Sequence, residues 1–154
     1  LSLSDDVIVV SNIHRNIPPT ARQVADIIPG KGPLSGIHAG LVSARHPLVF
    51  FTACDLPFLI PEVVLKMVDS VGKIDGGVAS YKGQLEPLIA CYRKNCAAIA
   101  EELLVAGKYS VRDFLAKINW MAVEEFAQLD DYYFMNLNTD HDYEKAKVIL
   151  AKGL

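Results

Sequence analysis

Pro47-Leu48-Val49-Phe50-Phe51-Thr52-Ala53-Cys54-Asp55-Leu56-Pro57-Phe58 is an apolar run, rich in Val and Phe, that stops at an acid. A proline follows two residues later. Such a run predicts a strand buried on both faces, and hence a central strand of a parallel sheet. Asp55 then stands at the strand's carboxyl end, where open α/β sheets bind their ligands. A carboxylate held there by a rigid strand, with Pro57 fixing the turn, suits a hard cation such as Mg²⁺. The plainer alternative is an acid that only caps a helix beginning near Pro61.

Strands and helices alternate outward from this segment. Val7, Ile8, Val9 and Val10 predict a strand that ends in the polar Ser11 and Asn12, and residues 18–26 read as irregular, with a short extended piece before Asp26. Leu34, Ile37, Leu41 and Ala44 recur at helical spacing. Pro61 opens a helix whose Val64, Met67, Val68 and Val71 share a face and which Gly72 ends. Residues 77–81 and 88–92 predict two strands joined by a turn at Lys82-Gly83. Residues 96–106 predict a helix with Ile99, Leu103 and Leu104 inward and Gly107 as terminator. Ser110 and Asp113 form an acidic capping box for another. Residues 120–123 and 133–137 read as late strands. Thr139 caps a final helix to about residue 151, with Asp140 and Asp142 in its first turn. The whole is expected to be one α/β domain over 1–154, with a mainly parallel sheet.

Composition narrows the function classes. The 154 residues are 51% hydrophobic with a net charge of −3, enough for one substantial core. Basic residues do not cluster, so neither a nucleic-acid footprint nor a membrane surface is expected. Apolar runs fall well short of the roughly 20 residues that span a bilayer. The three cysteines fit no zinc spacing and are expected to be buried, reduced thiols of a cytoplasmic protein. The four histidines show neither metal spacing nor a paired nucleophile, and read as surface or packing residues.

The second motif is Gly32-Pro33-Leu34-Ser35-Gly36-Ile37-His38-Ala39-Gly40-Leu41. Pro33 suits a first helical turn, and Gly36 and Gly40 bare one helix face to a neighbouring backbone or a flat ligand. The helix's amino end offers free N–H groups to an anion. Close helix–sheet packing would explain the glycines equally well. Asp26 is placed to accept hydrogen bonds from a base or ribose, and the Asn12 amide to read a base edge, unless both are ordinary turn residues. Glu86 and Pro87 precede a strand, where Glu86 or Gln84 can face a second substrate. Asn136 and Asn138, two apart on an expected strand, point the same way. The Asn138 amide oxygen can then join Asp55 around a cation, or merely satisfy local backbone.

In this order, these segments resemble the molybdenum cofactor guanylyltransferases, a family of nucleotidyltransferases with a Rossmann-like three-layer fold. The resemblance covers essentially the whole chain, and Gly-Pro-Leu-x-Gly-Ile and Cys-Asp-x-Pro-Phe are its most specific parts. It implies transfer of GMP from GTP to the phosphate of molybdopterin, with release of pyrophosphate. It further implies that Asp55 binds Mg²⁺ and the GTP phosphates, and that Asp26 and Asn12, with Gly32, Pro33 and Leu34, hold the guanine nucleotide. Asn136 and Asn138 would lie towards molybdopterin or the metal. Transient contact with other cofactor-biosynthesis proteins or acceptor enzymes is expected. The family opens with a first strand, a Leu-Ala-Gly-Gly loop, an Arg-Met-Gly segment and a Lys, none of which has a counterpart before Leu1. The expectation is a trimmed form of a longer protein, inactive alone, which its intact mass would test. The alternatives are a cytidylyltransferase for the same cofactor and a non-catalytic nucleotide-binding module that lost its phosphate loop.

Overall fold

The computed structural model describes residues 3–30, 32–124, 126 and 129–151. Its strands form two sheets. β1 (Val7–Val10) pairs in parallel with β2 (Ala21–Val24). β3 (Leu48–Phe51), β4 (Gly76–Tyr81), β5 (Gln84–Arg93) and β6 (Trp120–Val123) form the second sheet in the order β3-β5-β4-β6. β5 runs against both β3 and β4, while β6 is parallel to β4. Three strands of this sheet therefore share a direction and β5 alone is reversed.

Helices cover both faces of the larger sheet. α1 (Pro33–Ser43), α3 (Ala97–Val105) and α4 (Val111–Leu115) lie on one side around Leu34, Ile37, Leu41, Tyr92, Leu104 and Phe114. α2 (Pro61–Val71) lies on the other around Val63, Met67, Val71, Ile89 and Phe126. α5 (Asp140–Ala151) closes the chain and buries only Ala146. Each fully buried aliphatic side chain of α1 contributes roughly 1.5–3 kcal/mol. No helix among the described residues is long and apolar enough to cross a membrane.

α1 packs on β1 and β2 as well as on β3, so it bridges the two sheets. At its carboxyl end Arg22, on β2, donates to the Ser43 carbonyl at 2.6 Å. The same guanidinium grips Asp6 through both oxygens, at 2.8 and 3.1 Å. Asp6 also accepts from the Arg45 N–H at 2.8 Å, and its side chain is only 4% exposed. The beginnings of β1, β2 and β3 are thereby gathered at one end of the domain. β1 and β2 run parallel, so their carboxyl ends share one rim.

Several expectations are corrected. β3 is not central: it is the outer member of its sheet, and all four of its residues are half-buried. Both faces are nevertheless covered, because Val49 and Phe51 meet one core and Leu48 and Phe50 the other. β5 begins at Gln84, and Pro87 lies within it rather than before it. Pairing slips there, with Val78 opposite Ala90 but Ala79 opposite Glu86, which is where a residue without an N–H is tolerated. The hairpin turn is where it was expected, with positive φ at Lys82 and Gly83 as a tight primed turn requires. On α2 the inward residues are Val63, Met67 and Val71, while Val64 is half-buried and Val68 exposed. On α3, Ile99 packs half-buried against the core as expected, and Ala100 joins Leu103 and Leu104 as fully buried.

The late strand over 133–137 does not form. Asp131–Phe134 is a 3-10 turn, followed by irregular chain. Its rings are used in packing instead: Phe134 stacks on Tyr81 at 4.4 Å and Tyr132 meets Phe58 edge-on at 5.8 Å.

Candidate active site

Asp55 lies four residues beyond the end of β3. Its backbone carbonyl accepts from the Leu137 N–H at 2.8 Å, which ties the late asparagine segment to it. The residue is half-buried, and its Oδ1 is enclosed without a hydrogen-bond partner among the described residues. The carboxylate thus sits deeper than a simple rim position implies. An unsatisfied enclosed carboxylate oxygen costs about 1–3 kcal/mol, so it needs a reason to be there. A hard cation is the ligand this chemistry fits. Among the described residues no group of three or more His, Cys, Asp or Glu side chains forms a metal cage.

Asn12 and Asp26, which end β1 and β2, are brought together. The Asn12 Nδ2 donates to Asp26 Oδ2 at 2.8 Å, and the Asp26 N–H donates back to Asn12 Oδ1 at 2.9 Å. Gln23 clamps the same loop by donating to the Ser11 and Ile13 carbonyls and accepting from the Arg15 N–H. α1 starts on this rim with Gly32 at φ 68 as its N-cap and Pro33 in its first turn. Among the described residues no side chain caps it and no acidic residue stands in that turn, which leaves its positive end to an anion. Leu34 is fully buried, backbone included, so it anchors the helix start in the core rather than touching a ligand. Of the two glycines, Gly40 serves packing: a Cβ there would lie 2.7 Å from the Phe51 ring. Gly36 faces open space.

Glu86 is half-buried, and desolvation raises its carboxyl above the usual range. Asn136 and Asn138 are exposed and flank Leu137, but not as neighbours on a strand. The Asn138 N–H donates to Asp142 Oδ2 at 3.2 Å, within a capping box that Thr139 completes by accepting from the Asp142 N–H. Cys91 and Cys96 are buried, and burial pushes their thiols up to about 12 and about 11. Cys54, expected to be buried, is exposed beside Asp55.

Sequence reasoning missed a cleft of about 870 Å³ at the tip of the β4–β5 hairpin, lined by Tyr81, Lys82, Leu129, Asp130, Asp131, Tyr132 and Met135. The Tyr81 hydroxyl donates to Asp131, and Lys82 Nζ pairs with the same carboxylate at 2.5 Å. Lys82 and Tyr81 hold the Asp131 carboxyl below its usual range. Tyr133, burial and Asp130 push the Tyr132 phenol up. The available signal was the run Asp130-Asp131-Tyr132-Tyr133-Phe134, in which two acids precede three rings.

A three-layer α/β domain with an enclosed acid beyond one strand, and an Asn–Asp pair and an uncapped helix amino end beyond two others, is the architecture of a nucleotide-using transferase. The model of the MobA-like NTP transferase domain matches residues 1–124, and the chain belongs to that family of nucleotidyltransferases. It is 38% identical to the probable molybdenum cofactor guanylyltransferase of Pelotomaculum thermopropionicum, over 94% of this chain and 73% of that protein. With the molybdenum cofactor guanylyltransferase of Desulfosudis oleivorans it shares 32% identity over 99% of this chain and 78% of the relative. Among solved structures, it superposes with a TM-score of 0.73 on the molybdopterin-guanine dinucleotide biosynthesis protein A of Archaeoglobus fulgidus. That match has 26% identity and covers 86% of this chain and 69% of the other.

Proposed function

We propose that this protein transfers GMP from GTP to the phosphate of molybdopterin, forming the guanine dinucleotide cofactor and releasing pyrophosphate. The observation that supports the reading is the enclosed, unpartnered Oδ1 of Asp55, in a residue whose backbone carbonyl bonds the Asn136–Asn138 segment. The names of the relatives supply the substrates.

In this reaction an oxygen of the acceptor's phosphate forms a bond to the α-phosphorus of GTP, and the α–β bond breaks. Pyrophosphate carries away the electron pair. The acceptor phosphate is already anionic at pH 7, so no general base is needed, and positioning and charge neutralisation carry the catalysis. A divalent cation such as Mg²⁺ would supply that neutralisation, held by Asp55, whose enclosed Oδ1 makes no hydrogen bond among the described residues. Asp26 accepts from the nucleotide, with its orientation fixed by Asn12. The amino end of α1, at the exposed Gly32 and Pro33 with Leu34 packed beneath them, faces the phosphates. Glu86, Asn136 and Asn138 face the acceptor. Such a reaction suits a cytoplasmic protein in transient contact with the enzymes that receive the cofactor.

The test is turnover with Mg²⁺ and molybdopterin, offering GTP or CTP and measuring pyrophosphate and dinucleotide. Preference for GTP with loss of product in Asp55→Ala is expected. Equal or greater use of CTP, or no nucleotide binding at all, would overturn the assignment.

A further inference from the structure

The cleft between the β4–β5 hairpin and the Asp131–Phe134 turn has no role in the reading above. Its volume lies in the range of small-molecule sites, roughly 300–1,000 Å³. Its lining is chemically selective. Tyr132, its ring packed on Tyr133 at 4.3 Å, and the Met135 thioether line it with apolar surface suited to a flat ring. Asp130 is an exposed carboxylate at the rim, and Lys82 is 60% exposed on the turn. A carboxylate beside a ring face suits two adjacent N–H groups, and a nearby ammonium suits a ring carbonyl. That is the 2-amino-4-oxopyrimidine edge, which pterins and guanine share.

Two links place the cleft beside Asp55. Tyr132 touches Phe58, three residues beyond Asp55. Met135 lies two residues from Leu137, whose N–H binds the Asp55 carbonyl, so it is at most about 7 Å away along the chain. Across the sheet, β4 stands two strand spacings from β3, roughly 10 Å. The Asn12–Asp26 pair belongs to the other sheet, which α1 joins to the β3 side. A nucleotide held there leaves the hairpin cleft to the acceptor.

We infer that the cleft formed by Tyr81, Lys82, Asp130, Tyr132 and Met135 holds the pterin ring of the acceptor, with Asp130 taking the N–H edge and Lys82 the ring carbonyl. This rests on the transferase reading and adds the recognition residues for its second substrate. When the ring is bound, Lys82 exchanges its pairing with Asp131 for the ligand, and Asp131 keeps its bond from Tyr81.

The test uses 6-carboxypterin, followed by its fluorescence, and separately GTP with Mg²⁺, followed by thermal shift. Asp130→Asn and Lys82→Asn are suitable variants, because both side chains are exposed and Asn tolerates the positive φ at residue 82. Each is expected to weaken pterin binding at least fivefold and to raise the acceptor KM similarly, with kcat and the GTP-induced shift unchanged. Unchanged pterin affinity in both variants overturns the inference, as does loss of GTP binding in step with pterin binding, which would assign the cleft to guanine. Wild-type protein that binds pterin but shows no GTP shift would instead defeat the transferase reading, so the two failures are distinguishable.

Discussion

Asn12 and Asp26 hold each other reciprocally across the ends of β1 and β2, amide to carboxylate and backbone N–H to amide oxygen. Fourteen residues separate them in sequence, and the bonds fix which way the carboxylate faces before any ligand arrives. Pre-organisation of this kind lowers the ordering cost of binding. Asn12→Ala is therefore expected to weaken GTP binding roughly tenfold, about the value of one charge-assisted hydrogen bond. Asp26→Asn should weaken it at least as much. Isothermal titration with GTP and Mg²⁺ checks both, and wild-type affinity in Asn12→Ala would remove the orienting role.

The two glycines of α1 separate packing from ligand approach. In Gly40→Ala the new methyl meets the Phe51 ring at 2.7 Å, so the ring or the helix must move. The expected loss is about 1–3 kcal/mol, read as a lower melting temperature. Gly36→Ala meets nothing and removes a flexible residue from a helix interior, so stability should rise by up to roughly 1 kcal/mol. If the open face at Gly36 lies against the nucleotide, the same variant binds GTP more weakly while melting later. A Gly36→Ala protein unchanged in GTP affinity would leave that face without a ligand role.

Asp6 gives the fold an acid limb. The hydrogen bonds from Arg22, outweighing desolvation, lower its carboxyl from 3.8 to about 2. A folded-state value below the unfolded one stabilises the protein above about pH 4, and that stability drains away as pH falls through about 2. The shift corresponds to roughly 2 kcal/mol. Denaturant melts at stepped pH should show this loss in the wild type. Asp6→Asn should be less stable at pH 7 and flatter between pH 4 and 2. An identical acid profile in the variant would assign the limb to other carboxylates.

What the sequence makes legible is local. The β4–β5 turn is readable from Lys82-Gly83, the start of α1 from Gly-Pro, and the caps of α4 and α5 from Ser110 and Thr139, because each depends on neighbours within a few residues. Asp6–Arg22 and Asn12–Asp26 are not readable as pairs, since nothing local joins residues 16 and 14 positions apart. The segment 133–137 misleads because Tyr and Phe have high strand propensity, yet here the Phe134 ring finds Tyr81 and Phe126 rather than a strand edge. The same misreading hides the hairpin cleft. The motif Cys54-Asp55-Leu56-Pro57-Phe58 locates the rim, but the depth of the Asp55 oxygen needs coordinates.

That depth yields the last prediction, in which stability and activity move in opposite directions. Removing the Asp55 carboxylate deletes an enclosed oxygen with no partner, relieving a penalty of about 1–3 kcal/mol less the packing lost with the side chain. Asp55→Ala should therefore melt no earlier than wild type without ligand. Mg²⁺ with GTP should raise the melting temperature of the wild type but barely that of the variant. Guanylyl transfer should fall by at least a hundredfold, in line with loss of a group that neutralises charge at the reacting phosphates. Calorimetry and turnover on the same preparations decide the matter. A variant that melts much earlier would make Asp55 a structural residue, and one that still turns over would move the cation elsewhere.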